Sequence, residues 1–151
     1  MGNGCAWHAQ HAKFLAQHGV TSAGTSPSEP LSASPWWPLL PHREQAVLNF
    51  YLQKVPDACS IDTSQSIDRV GCGKHGMLRT LLSKSKPWLV DRHRPLLGRE
   101  ALCAQGFPME LLADARFPSD CQARDLAGNM FSAPVVMAVL CGVLCHFHEL
   151  Q

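Results

Sequence analysis

From Ala133 to Phe147 the chain runs fifteen residues without an Asp, Glu, Lys or Arg. Pro134 opens the stretch, and Val135, Val136, Val139, Leu140, Val143, Leu144 and Phe147 recur at helical spacing, which predicts a final helix ending near His148. These side chains cover well over half of the helix's circumference. Such a helix has to be buried on more than one side. No apolar run reaches the ~18 residues of a bilayer span, so no membrane partner is expected. The rest of the chain therefore has to supply a broad apolar partner, or something else does.

The other segments are short and broken by proline. A helix from about Cys5 to His18, closed by Gly19, puts Trp7, Phe14 and Leu15 near His11 and His18. From Val20 to Pro41, five prolines and five serines predict a disordered linker, with Trp36, Trp37, Leu39 and Leu40 able to dock on something apolar. A better helix spans about His42 to Val55, with Glu44 in its first turn and Pro56 as its stop. Residues 57–95 show no sustained period; Trp88-Leu89-Val90 reads as a short strand, and Met77–Leu82 as a strand or a turn of helix. Arg99–Gln105 makes two helical turns ended by Gly106, Phe107 and Pro108. Asp120–Ala127 makes another, closed by Gly128. The expected architecture is mostly short helices with little or no sheet around an irregular middle. It divides as residues 1–19, 20–41, 42–95 and 96–151.

Charge is distributed unevenly. Residues 1–68 carry −2 and residues 100–151 carry −4, whereas residues 69–99 set eight cations against Asp91 alone and carry +7. A stretch of this kind meets a polyanion by neutralising phosphates, and Arg69, Lys74, Arg79, Lys84, Lys86 and Arg92 are the candidate contacts. The competing reading is a solvated basic loop.

Other motifs read more simply. Gly71-Cys72-Gly73-Lys74-His75-Gly76 matches the dinucleotide-binding glycine pattern, but the residues before it are polar where that motif needs a buried strand, so it reads as a flexible loop. Cys5-x-x-His8-x-x-His11, Cys72-x-x-His75 and Cys141, Cys145 and His148 have ligand-like spacing without paired knuckles, so no metal site is assigned. Met1-Gly2-Asn3-Gly4-Cys5-Ala6 departs from an acylation signal at Ala6. Nothing assembles a nucleophile with a base, so no catalytic residue is assigned. Seven cysteines without framework spacing, and no basic start leading an apolar stretch, predict an intracellular chain with reduced thiols.

Two segments carry a family resemblance. Arg94-Pro95-Leu96-Leu97-Gly98-Arg99-Glu100, continuing to Gln105-Gly106-Phe107-Pro108, resembles the ninth sequence block of DNA cytosine-5 methyltransferases. Some twenty residues on, Gly128-Asn129 followed by Pro134-Val135-Val136 resembles the tenth block. Upstream, Asp62–Arg69 looks like the eighth, with Gln65 and Arg69 in the matching places. Gly98 stands where the family has Thr or Ser. The resemblance covers about residues 42–148. It implies an α/β family fragment, S-adenosylmethionine as cofactor with Asn129 and Gly128 at its pocket, DNA as partner, and a nuclear location where there is a nucleus. It also implies that Val70–Arg94, the basic stretch, occupies the DNA-reading interval. The family's Phe-x-Gly-x-Gly loop, Pro-Cys nucleophile and Glu-Asn-Val carboxylate have no match here. A catalytic core would therefore have to come from elsewhere, and the chain alone is expected to be inactive. The alternative is a small basic nucleic-acid-binding or protein-interaction module with no methylation role.

Overall fold

The structure is a computed structural model and describes residues 6–19, 31, 33–114 and 119–149. It divides into two compact units, residues 1–80 with 85–96, and residues 81–84 with 97–151.

The first unit is a small antiparallel sheet with helices packed on it. Its helices are α1 (Ala6–Gln17) and α2 (His42–Lys54); its strands are β1 (Ala58–Asp62), β2 (Cys72–Lys74), β3 (Pro87–Leu89) and β4 (Arg94–Pro95). The order across the sheet is β2-β1-β3-β4. Pro95 sits in an edge strand, where a missing ladder donor is tolerated. Ile61 of β1 stands opposite Cys72 on one side and Trp88 on the other, and the register slips between Ala58 and Ser60. Val47, Leu48, Phe50 and Tyr51 of α2 form one buried cluster with Ala58, Ile61, Ile67 and Trp88. The Tyr51 hydroxyl donates to the Ile67 carbonyl at 2.6 Å, and burial holds its pKa above the ordinary phenol value.

Part of the Pro/Ser-rich stretch belongs to this core. Leu31 is fully buried in it, and the Ser34 hydroxyl donates to the His93 carbonyl. A 3-10 turn at Trp37–Leu39 is fastened to α2 by the Gln45 amide, which donates to the carbonyls of Trp37 and Leu40. Trp37 and Leu40 pack against the core, whereas Leu39 stays exposed. A proline-rich composition forbids helix, not packing. Residues 20–30 and 32 lie outside the described residues, as do Met1–Cys5. The N-terminal helix docks on the same unit: Phe14 meets Phe50 edge-on at 5.3 Å, and Gln10 donates to Asp68. His11 is buried there, and burial, helped by Arg43 and His8, lowers its pKa.

The second unit is helical: α3 (Gly98–Ala104), α4 (Met109–Asp114), α5 (Asp120–Asn129) and α6 (Ala133–Glu149). Helix α4 was not expected from the sequence. Glu100 reaches back to accept from the Leu97 N–H at 3.0 Å, closing the first turn of α3. Gly98 is where α3 and α5 touch: a Cβ there would meet the Asp120 carbonyl and Ala123, and the Gly98 N–H donates to the Asp120 carboxylate. The absent Ser or Thr cap is thus replaced by a carboxylate from α5. Gly98→Ser is expected to destabilise this unit by ~1–3 kcal/mol, the usual cost of overpacking. Urea unfolding followed by circular dichroism checks it; an unchanged or higher midpoint would show that α5 yields freely.

Gly128 does not close α5, as the sequence suggested. The helix continues to Asn129, and Gly128 is needed because a Cβ would strike the backbone of Leu82 and Ser83. Gly106 is the left-handed stop expected after α3, with φ +90°, and Pro134 lies against it. The Gln105 amide donates to the Ala127 carbonyl, and the Ala133 N–H donates back to the Gln105 carbonyl at 2.8 Å. The segments around Gln105–Pro108 and Gly128–Pro134 are therefore interlocked through Gln105 and Gly106.

Helix α6 carries its apolar residues in the open. Val135, Met137, Val139, Leu140, Val143 and Leu144 are all exposed. Asp120–His146 is long enough, and holds an 18-residue window apolar enough (mean hydropathy 1.8), to cross a membrane by length and composition. The break after Asn129 leaves α6 with 17 residues. At about 1.5 Å per residue that is at the short limit for a span.

Candidate nucleic-acid interface

Five of the six candidate contacts lie in the first unit, and their surroundings differ. Arg69 follows Ile67 in a turn, 79% exposed, with Asp68 4.0 Å away. A hydrogen bond from Ser66, more than the nearby Arg69, holds the Asp68 carboxyl below its ordinary pKa. Arg92 is exposed beside Asp91, also at 4.0 Å. Lys84 is exposed in the segment 81–84 of the second unit.

Lys86 is committed to the fold. Its ammonium lies 2.8 Å from Glu44 Oε1, and that carboxylate is buried. The backbone N–H of Lys86 donates to Asp62 Oδ1, which also accepts from the Ser64 N–H and hydroxyl. Arg43 donates to the carbonyls of Thr63 and Gln65, both at 2.8 Å. The segment resembling the eighth block is thus pinned to the start of α2 by Arg43 and Glu44. Gln65 takes part through its backbone.

Lys74 and Arg79 stand on a hairpin. Lys74-His75-Gly76-Met77 closes with the Met77 N–H donating to the Lys74 carbonyl at 3.0 Å. His75 (φ 55°) and Gly76 (φ 74°) are both left-handed, the signature of a type I′ turn. Each glycine of the earlier pattern has a local reason. Gly71 lies under the Arg79 side chain, Gly73 leaves room for the Met77 carbonyl, and Gly76 takes the positive φ. The pattern builds a hairpin, not a phosphate cradle. Lys74 bonds Asp57 at 3.0 Å on the hairpin's shoulder, which lowers the Asp57 pKa.

Lys54 is a cation that the charge arithmetic missed because it lies outside residues 69–99. At the end of α2, its ammonium sits 5.4 Å from the Phe50 ring centre and 5.6 Å from that of Phe14. Burial raises the Cys72 pKa, while Arg79, Lys74 and Lys54 act to lower it. Arg79 lies over Gly71, and Lys74 ends β2 two residues after Cys72.

The cofactor-site candidates are placed otherwise. The open side of Gly128 is covered by Leu82–Ser83, and the Asn129 amide, exposed at the end of α5, donates to the Asp125 carbonyl. Among the described residues no three His, Cys, Asp or Glu gather as a metal site.

No protein-family model matches the chain. Over 94 residues it is 37% identical to the DNA (cytosine-5-)-methyltransferase DMT5 of Cryptococcus neoformans var. grubii. That alignment takes in 59% of this chain, which spans 4% of the relative's length. With the interlocked segments around Gln105 and Gly106, this identity makes the chain similar to a DNA cytosine-5 methyltransferase.

Proposed function

We propose that this chain is the DNA-contacting and C-terminal-helix portion of a DNA cytosine-5 methyltransferase, inactive without a catalytic core. The observation that supports it most is the exposed pair Lys74, at the end of β2, and Arg79, lying over Gly71, within the interval between the segments resembling the eighth and ninth blocks. Their role is to neutralise phosphates. Arg69 and Arg92 are further candidate contacts of the first unit, and Lys84 is a candidate of the second unit by itself.

In this family S-adenosylmethionine supplies the methyl group. Gly128 and Asn129, as arranged here, do not fit a cofactor site by themselves, so the cofactor would bind only with a catalytic core in place. No transfer step is derived from this chain's residues. The core would come from a partner chain or from further sequence, and the location would be that of the DNA.

Duplex affinity is expected to fall steeply with salt, log K dropping by roughly 0.9 per phosphate neutralised for each decade of salt. Reversing Arg69, Lys74 and Arg79 to Glu should abolish most of it, as read by fluorescence anisotropy at low ionic strength. If the triple variant binds duplex as well as the wild type does, the basic surface meets only water. Cysteine-dependent labelling of DNA by the purified chain would overturn the inactivity.

A further inference from the structure

A cleft of about 290 Å³ opens between the end of α1 and the end of α2, lined by His18, Phe50, Gln53 and Lys54. All four belong to the first unit. Phe50 is buried and forms the floor. Phe14 meets it edge-on at 5.3 Å and meets the His18 ring edge-on at 4.5 Å, while His18 lies 5.8 Å from Phe50. Three rings therefore share one corner. The Lys54 ammonium stands over it, 5.4 to 6.0 Å from the ring centres of Phe50, Phe14 and Tyr51. Among the described residues no carboxylate forms an ion pair with Lys54; Asp57, three positions on, is bonded to Lys74. The polar groups at the rim are an ammonium, an imidazole and an amide, all able to donate and none of them negative.

That set of groups selects its ligand by exclusion. A cation would find Lys54 already seated on the aromatic faces and be repelled by it. A neutral apolar molecule would cover the rings and leave the ammonium without a partner. An anion with a flat apolar body satisfies both. Its ring extends the edge-to-face cluster of Phe14 and Phe50, and its carboxylate takes a charge-assisted hydrogen bond from Lys54, with Gln53 and His18 as further donors. The volume equals about ten water molecules at ~30 Å³ each, room for one ring and a short acid arm. Clefts with an apolar lining and a few convergent polar groups are where small ligands bind. We infer that this cleft binds a small carboxylic acid carrying one aromatic ring. The inference stands apart from DNA contact. Because the walls come from α1 and α2, the bound acid would also tie the N-terminal helix to the sheet unit.

The test uses the full chain with 3-phenylpropionate as probe, read by ligand-observed magnetic resonance, which needs little protein. A dissociation constant on the order of 0.1–1 mM is expected. 3-Phenylpropionamide, the same body without the charge, should bind about tenfold more weakly, and so should propionate, the charge without the ring. Lys54→Met should lose the preference for acid over amide, and Lys54→Arg should keep it. The Lys54 side chain is exposed, so both variants should fold, as a wild-type circular dichroism spectrum would show. His18→Ala, beyond the end of α1, is a second variant and should weaken the acid about threefold. Equal binding of acid and amide, a Lys54→Met variant that keeps the preference, or no binding in the millimolar range overturns the inference. A short peptide ending in a free phenylalanine carboxylate that binds more tightly than 3-phenylpropionate overturns the small-molecule ligand in favour of a chain terminus.

Discussion

Lys86→Ala is expected to destabilise the first unit by about 2 kcal/mol and to leave the DNA affinity of the folded protein nearly unchanged. Glu44 is buried at the start of α2, and the Lys86 ammonium at 2.8 Å is the cation that answers it. Thr63 adds a weaker hydroxyl contact at 3.4 Å. Removing one member of a fully buried pair costs ~3–5 kcal/mol, because a charge is left without its partner. Lys86 is itself 48% exposed, so water screens part of that and the expected loss is smaller. Glu44→Gln should cost less than Lys86→Ala, since a freed lysine turns to solvent whereas a freed buried carboxylate does not. Urea melts followed by tryptophan fluorescence, together with duplex affinities at low denaturant, separate the roles. An unchanged midpoint with affinity falling as far as in Arg79→Ala would mean that Lys86 is a phosphate contact and the pair carries little.

That pair shows where sequence reading reached and where it stopped. Helices α2, α3 and α6 were legible because local signals bound them: Pro41 and Pro56 around the first, Gly106 and Pro108 after the second, Pro134 before the third. The sheet was not. Its strands have five, three, three and two residues, too short for alternation to register. They are held by pairings across the chain, such as Ile61 with Trp88. Glu44 and Lys86 are forty-two positions apart, so summing charge by segment places them in different blocks and counts Lys86 as available. By sequence, the glycines of residues 71–76 read as a flexible loop. What selects them is a return of the chain at Met77 and Arg79, which only the fold reveals. The interface was legible as a charge excess. Which cations are available depended on tertiary placement.

The isolated chain is expected to self-associate at tens of micromolar through α6. Val135, Met137, Val139, Leu140, Val143 and Leu144 expose between 45% and 68% of their surface. Val136 on the same helix exposes 37%. Full burial of such side chains is worth ~1.5–3 kcal/mol each, so even half-buried contacts across several of them outweigh the entropy of ordering a helix pair. Nothing on the helix opposes association, since Ala133–His148 carries no Asp, Glu, Lys or Arg to repel a like neighbour. Sedimentation should report species larger than the monomer, with a dye for apolar surface lighting up in proportion. Val136→Lys, Leu140→Glu and Val143→Lys together should return the chain to monomer and quench the dye. Those positions are exposed, and helix propensity tolerates the replacements, so the fold should survive. A wild-type chain that sediments as a compact monomer, with no dye-accessible surface and cooperative unfolding, would show that α6 is covered within the chain. In that case the independent module would replace the methyltransferase fragment as the reading of this sequence.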